Sequence, residues 1–205
     1  MKVNSTLLAV LCLVLMAAPA VAQDDNAQKR AINAYVSQVT SLKGRVEASF
    51  WDLNRTISVV QSLGEKLERT FMTAQRVLWP NDIEAAFNEV EPILAEFIRL
   101  DKEMQSLVRS ARGSEAANKA ARDLLAAVEA FDKRYDGGKK LVAAGKEARD
   151  WKDRIVNEMR LPRERDLYLH ERDKVDEISK STEKIAKVIM DLKKSAQQLV
   201  TATEP

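Results

Sequence analysis

Apolar residues recur at every seventh position along the first third of this chain, and this spacing constrains its fold more than any other feature. A heptad period is typical of a long helix that buries a narrow stripe against other helices. The first row is Ile32, Val39, Val46, Leu53, Val60, Leu67 and Ala74, and a second row is Val36, Phe50, Ile57, Phe71 and Leu78. The pattern indicates architecture and leaves chemistry open.

Four further stretches carry apolar stripes at helical spacing. After Pro80 a new heptad row begins with Ile83, Val90, Phe97, Met104 and Ala111. The later stripes are Leu124 and Val128; then Leu141, Ala148, Trp151 and Ile155; and finally Val175, Ile178, Ile185, Ile189, Leu192 and Leu199. Pro80 is expected to end the first helix, because proline disfavours a helical residue before it. Gly113 suits the end of one helix, and Ser114 suits the cap of the next.

Segment lengths favour an all-α fold, an elongated antiparallel bundle of three coiled-coil-like arms over 28–79, 82–136 and 139–201. The chain would turn near 80 and again at Gly137-Gly138, and the arms would be about 75–80 Å long at the helical rise. Gly113 lies 24 residues before Gly137 and Pro162 lies 24 residues after Gly138, so two of the arms would break at one joint, beside residue 50. The alternative is a bundle of five shorter helices that reverses fully at Gly113 and Pro162.

The first 22 residues resemble a secretory signal peptide. Lys2 precedes an apolar run, and Ala20-Val21-Ala22 forms a small-residue cleavage pattern. We therefore expect cleavage near Ala22, a single domain over 23–205 and export to a periplasm or an extracellular space, from a bacterial or a eukaryotic source. The only cysteine, Cys12, lies within this segment. Leu11 precedes it, where lipoprotein processing needs a small residue, so no lipid anchor is expected.

Charge balance disfavours a nucleic-acid partner. The chain has 33 basic and 31 acidic residues, and its formal net charge is +2. The charges alternate along the helices, which is typical of solvated helix faces rather than of a basic footprint for phosphates.

The residues for catalysis or metal binding are scarce, so we expect neither an enzyme nor a bound metal or cofactor. His170 is the only histidine, and a mature chain would contain no cysteine for a thiolate site or for covalent haem. Asp166 and Asp173 flank His170 at helical spacing, but a surface histidine among salt-bridging neighbours is the simpler interpretation. Asn54-Arg55-Thr56 matches the glycosylation sequence, which matters only in a eukaryote.

The candidate binding residues are aromatic and apolar. Trp51 takes heptad position f, which points away from the seam; it either covers the joint or anchors a partner. Its expected neighbours at the joint are Leu161, Leu167, Tyr168 and Leu169. Trp79, at the first turn, either closes the end of the core or serves as an anchor at the tip, for a partner or a membrane interface. Trp151 is expected in the core.

Two functions remain open after this reading. The first is a non-enzymatic interaction protein, an adaptor, scaffold or binding module whose partner is another protein. The second is a lipid or hydrophobic-ligand carrier, because the chain resembles exchangeable apolipoproteins in general composition. That resemblance implies a bundle that opens so that its apolar faces meet lipid. The narrow heptad seam favours the first function.

Overall fold

A computed structural model describes the backbone of residues 5–73, 79–158 and 165–205, and the side chains of residues 25–73, 81–158 and 171–205. Within these ranges the protein consists of helices and connecting turns without strands, which confirms the all-α prediction. The helices are α1 (Ser5–Thr73), α2 (Trp79–Arg109), α3 (Glu115–Tyr135), α4 (Lys139–Glu158) and α5 (Arg165–Ala202).

Contacts between side chains fix the directions of α1, α2 and α5. The Tyr35 hydroxyl donates to the carbonyl oxygen of Leu107 at one end of the α1–α2 pair, and Lys66 Nζ donates to Asp82 at the other, so these helices are antiparallel. Lys174 pairs with Glu84 and Ser195 donates to Asp101, so α5 runs parallel to α2.

The helices α3 and α4 follow one another in the same direction and form a single broken arm. Asn118 of α3 donates to the carbonyl oxygen of Val200, Lys193 donates to Asp132, and Lys152 of α4 donates to Asp176. Residue numbers decrease along α5 as they increase along α3 and then α4, so α5 runs antiparallel to both helices. The bundle has four arms, α1, α2, α3–α4 and α5, and the chain runs up and down alternately. The arms α1 and α5 each lie between α2 and the broken arm.

The three-arm prediction is therefore wrong. It required residue 50 to lie beside residues 112 and 163, whereas Phe50 contacts Phe97, Phe131 and Tyr135. The chain reverses near Gly113, between α2 and α3, and again between α4 and α5, as the five-helix alternative expected. Pro162 itself lies outside the described residues. The 38 residues of α5 give an arm of about 57 Å, shorter than the three-arm bundle required.

The predicted heptad rows supply the core. Val39, Val46, Leu53, Val60 and Leu67 are buried on α1, and Ile83, Val90, Phe97 and Met104 are buried on α2. Ile32 is half-buried, and Ala74 and Leu78 lie outside the described side chains. The stripes of α3, α4 and α5 enter the same cluster. Several hydroxyl residues share these seams, and most of them donate to the carbonyl three or four residues earlier: Ser49, Thr56, Thr70, Thr182 and Thr203.

Helix ends follow local chemistry with one correction. Pro80 does not end α1, because α1 stops at Thr73 and Pro80 lies in the first turn of α2, where its missing N–H is not needed. Ser114 is the predicted N-cap of α3 and accepts from the Ala117 N–H at 3.1 Å. Asp136, Gly137 and Gly138 all have positive φ, which ends α3 without reversing the chain.

The described side chains of α1 begin outside the core. Residues 25–30 are exposed, and the first buried side chain among the described residues of this helix is Tyr35. The predicted signal peptide precedes the described side chains, so its cleavage remains a prediction. Over the part of the chain that the structure describes, no helix is both long and apolar enough to cross a membrane.

Candidate interaction surface

Trp51 is exposed because its neighbour Phe50 occupies the core. The Phe50 ring is fully buried, stacks on Phe131 with centroids 4.4 Å apart, and meets Phe97 edge-on at 5.2 Å. Successive residues of a helix point about 100° apart. Trp51 therefore points outward, as predicted from heptad position f, and 61% of its surface is exposed.

Arg134, in the last turn of α3, lies over the Trp51 ring. Its guanidinium carbon is 5.4 Å from the centroid of Trp51 and 5.6 Å from that of Tyr135. An exposed cation–π contact is worth about 0.5–1 kcal/mol, and a cation also suits the negative C-terminal end of a helix. Among the described carboxylates none forms a salt bridge with Arg134, so its charge remains available to a ligand.

Small residues precede Trp51 along one side of α1. We call this surface the outer face of α1; its exposed residues are Ser37, Ser41, Gly44, Ala48, Trp51, Arg55 and Ser58, and Arg55 pairs with Glu89 of α2. A Cβ atom built on Gly44 would have no neighbour within 4 Å. The outer face thus carries a row of small residues followed by one large aromatic ring.

Four of the other predicted residues lie at one end of the bundle, away from Trp51. Trp79 is the first residue of α2, and Leu167, Tyr168 and Leu169 belong to the first turns of α5. The Lys174–Glu84 ion pair places position 169 level with Trp79. The side chains of these four residues and all of Leu161 lie outside the described residues.

The predicted joint cluster is therefore wrong. Lys193 pairs with Asp132 near the end of α3, so α5 passes the level of Trp51 near residue 193. Leu167 lies 26 residues before Lys193, which is about 39 Å along the helix. The equal sequence spacing of Gly113 and Pro162 from the Gly137-Gly138 turn has a different cause: in sequence the two positions flank the α3–α4 arm, which is broken at its middle.

A second aromatic contact lies near the end of the bundle that contains Trp79. Trp151 is half-buried rather than fully in the core, packs 5.6 Å from Phe71 and has the Arg154 guanidinium 4.6 Å from its centroid. Met72 is next to Phe71, and 71% of it is exposed.

Several ionisable groups form ion pairs and hydrogen bonds between helices. Arg45 of α1 donates to Glu96 and Glu103 of α2, and the hydrogen bond to Glu103 raises the pKa of Arg45. The hydrogen bond from Arg99 lowers the pKa of Glu96. Lys152 is buried but paired with Asp153 and Asp176. Burial raises the pKa of Tyr35 to about 12, and its hydroxyl donates a hydrogen bond to the Leu107 carbonyl oxygen.

No metal-binding group of three or more His, Cys, Asp or Glu residues occurs among the described side chains. Asp173 is exposed, whereas the side chains of His170 and Asp166 lie outside the described residues. Asn54 is exposed, but Thr56 of the same glycosylation sequence is buried and donates to the Asp52 carbonyl oxygen.

The sequence predicts the role of Trp51 but does not single out Arg134 or Gly44. Arg134 comes from a different arm and could not be placed without the topology. Gly44 carried a readable signal, because it lies one heptad before Trp51. Comparisons of the chain with protein-family models, with curated proteins and with solved structures return no match.

Proposed function

We propose that this chain is an exported, non-enzymatic helical bundle that binds another protein through the outer face of α1. The observation that carries the proposal is the 61% exposure of Trp51 beneath the guanidinium of Arg134. Tryptophan, tyrosine and arginine are enriched among the residues that contribute most to binding at protein interfaces. Export rests on the signal-like segment 1–22.

The shape of the outer face suits a helical partner. Gly44 and Ala48 let another backbone approach closely, and Trp51 offers a large ring about one turn further along α1. Arg134 adds a cation that no described carboxylate neutralises. A partner helix with a carboxylate near its apolar stripe would satisfy both features.

The buried hydroxyl groups between the helices disfavour the alternative function, a lipid carrier. An opened bundle would break the hydrogen bonds from the buried Ser181 and Ser195 hydroxyls to Glu91 and Asp101 of α2, and would expose these hydroxyls to acyl chains together with the apolar rows. Hydroxyl groups lose favourable interactions in hydrocarbon unless they are hydrogen-bonded, which makes these seams a poor lipid-binding surface.

A photo-cross-linking amino acid at Ala48 tests the proposal in the native host. We expect a covalent adduct with a protein, identified by mass spectrometry, and loss of that adduct when Trp51→Ala is added. The matched control places the cross-linker at Lys102, an exposed residue of α2. Equal adducts at both positions, or none at Ala48, would contradict the proposal. Flotation with liposomes, with loss of the cooperative melt, would favour the carrier instead.

Sequencing the N-terminus of the exported protein tests localisation separately. A start near Gln23 is expected from the cleavage pattern. Retention of residues 1–22 in the cytoplasm would contradict export without affecting the binding surface.

A further inference from the structure

We infer that the partner of the outer face of α1 is a second copy of this chain, packed antiparallel across a two-fold axis with Trp51 of each copy over Gly44 of the other. This inference rests on the proposed function and names its partner. It follows from the glycine, from the spacing of the two residues and from the charges beside them.

Packing within one chain explains other glycines but not Gly44. A Cβ on Gly138 would lie 2.9 Å from Ala186, and one on Gly113 would lie 2.8 Å from the Glu204 carbonyl oxygen. Around Gly44 the space is open. A glycine inside an exposed helix lowers helix stability relative to alanine. A glycine at position 44 is explained if a molecule outside the bundle packs closely against α1 there, because a side chain would keep that molecule away.

The outer face of α1 is complementary to itself. Gly44 and Trp51 are two helical turns apart on one side of α1, about 10.5 Å at the helical rise. When an identical helix packs against it in the opposite direction, placing Trp51 opposite Gly44 in one contact places Gly44 opposite Trp51 in the other. A two-fold axis forms both contacts together, and the small residue Ala48 lies next to that axis.

The charges beside the two contacts are also complementary. Glu47 lies one turn before Trp51 and therefore on the same flank of α1. The antiparallel register brings Glu47 of the second copy within about one turn of Trp51, close to the uncompensated Arg134. In the single chain Glu47 has only an exposed contact with Lys43 at 3.7 Å. Each dimer would gain this Arg134–Glu47 attraction twice.

The outer face is small, so the dimer should be weak. From Ser37 to Ser58 it covers about 32 Å of one helix, and a contact of this size falls at the low end of specific interfaces. Self-association is therefore expected at micromolar concentrations and above.

Sedimentation equilibrium of the exported protein over about 1–500 µM tests the inference, given that weak interfaces dissociate in this range. We expect a monomer–dimer equilibrium, with Trp51→Ala and Gly44→Leu each weakening association at least tenfold. Gly44→Leu keeps the fold, because the added side chain enters open space. The control Ile98→Ala removes an exposed apolar side chain from α2 and should leave association unchanged.

A cysteine cross-link tests the register. In the exported protein, from which Cys12 is expected to be removed with residues 1–22, Ala48→Cys should form an intermolecular disulfide under mild oxidation, whereas Ser58→Cys should not, because its two copies would lie about 31 Å apart along the helix. Glu47→Arg and Arg134→Glu should each weaken association, and the double variant should restore it.

A protein that stays monomeric throughout, or whose dimer is unaffected by Gly44→Leu, would overturn the inference. If the monomer still gives a Trp51-dependent adduct with a different protein at position 48, the proposed function stands and only the second-copy partner is wrong. Absence of both the dimer and the adduct would reject both.

Discussion

Phe50 of α1 stacks on Phe131 of α3 with ring centroids 4.4 Å apart and ring planes 4° from parallel. This contact joins two arms that run in the same direction, and Phe97 of α2 closes it edge-on at 5.2 Å. The three rings hold the middle of the bundle at the level where Trp51 points outward. Packing of Phe50 in the core and exposure of the outer face are therefore linked through adjacent residues of α1.

We predict that Phe50→Ala lowers the free energy of unfolding by about 3–5 kcal/mol, the usual loss for a fully buried phenylalanine. Phe131→Ala should lower it less, because Phe131 is only half-buried. The double variant should reveal a coupling energy of about 0.5–1.5 kcal/mol from the stacked pair. Urea denaturation measures all three values. A loss below about 1 kcal/mol for Phe50→Ala would mean that this ring is not at the centre of the core.

Carboxyl-to-amine cross-linking distinguishes the four-arm topology from the three-arm alternative. Lys193 Nζ lies 2.6 Å from Asp132, and this hydrogen bond raises the pKa of Lys193. A zero-length carbodiimide reagent should therefore join Asp132 to Lys193 and Glu84 to Lys174. A reversal at Gly137-Gly138 would instead place Asp132 beside α4. Mass spectrometry of the digested protein identifies the linked peptides, and links from Asp132 to α4 lysines alone would support three arms.

The heptad rows were predictable because burial follows local spacing. Val39, Val46 and Leu53 each follow from a period of seven, whatever the other arms do. The direction of the chain after α3 was not predictable in this way, because Asp136-Gly137-Gly138 has the same local chemistry in a reversal and in an in-line break. Remote contacts decide between them, in particular the approach of Gly138 to Ala186 of α5.

The candidate surface was also predictable only in the part that depends on local spacing. The outward direction of Trp51 follows from its position within one helix, and the sequence predicted it. The cation over its ring comes from Arg134, which lies on another arm, and so could not be found before the arms were placed. The predicted cluster with Leu167 and Leu169 failed because it depended on the height of the joint, a property of the topology.

Alanine substitutions at Gly44 and Gly138 should have opposite effects on stability. Gly138 has φ +79°, and a Cβ there would lie 2.9 Å from Ala186. Backbone strain alone costs about 1–2 kcal/mol at such a position, and the clash adds to it. Gly44→Ala should raise the free energy of unfolding by up to about 1 kcal/mol, because alanine favours a helix. Urea denaturation at concentrations where the chain is monomeric measures both, and destabilisation by Gly44→Ala would show that this site is packed within one chain.

Tyr35 makes stability depend on alkaline pH. Burial raises the pKa of its hydroxyl from 10.0 to about 12. Above pH 10 the unfolded chain releases this proton more readily than the folded chain does. The stabilisation from the neutral hydroxyl is therefore complete below pH 10 and is lost as the pH rises towards 12.

Tyr35→Phe tests this assignment through the pH dependence of unfolding. The variant should lose about 0.5–1.5 kcal/mol at pH 7, because the hydrogen bond to the Leu107 carbonyl oxygen disappears. Its stability should also fall less steeply than that of the wild type between pH 10 and 12. The control Tyr135→Phe removes a buried hydroxyl that has no hydrogen-bond partner within the described structure, so stability at pH 7 should stay constant or rise. Parallel alkaline profiles for Tyr35→Phe and the wild type would show that the hydroxyl of Tyr35 ionises equally in both states, and that the junction of α1 with the end of α2 is open to water.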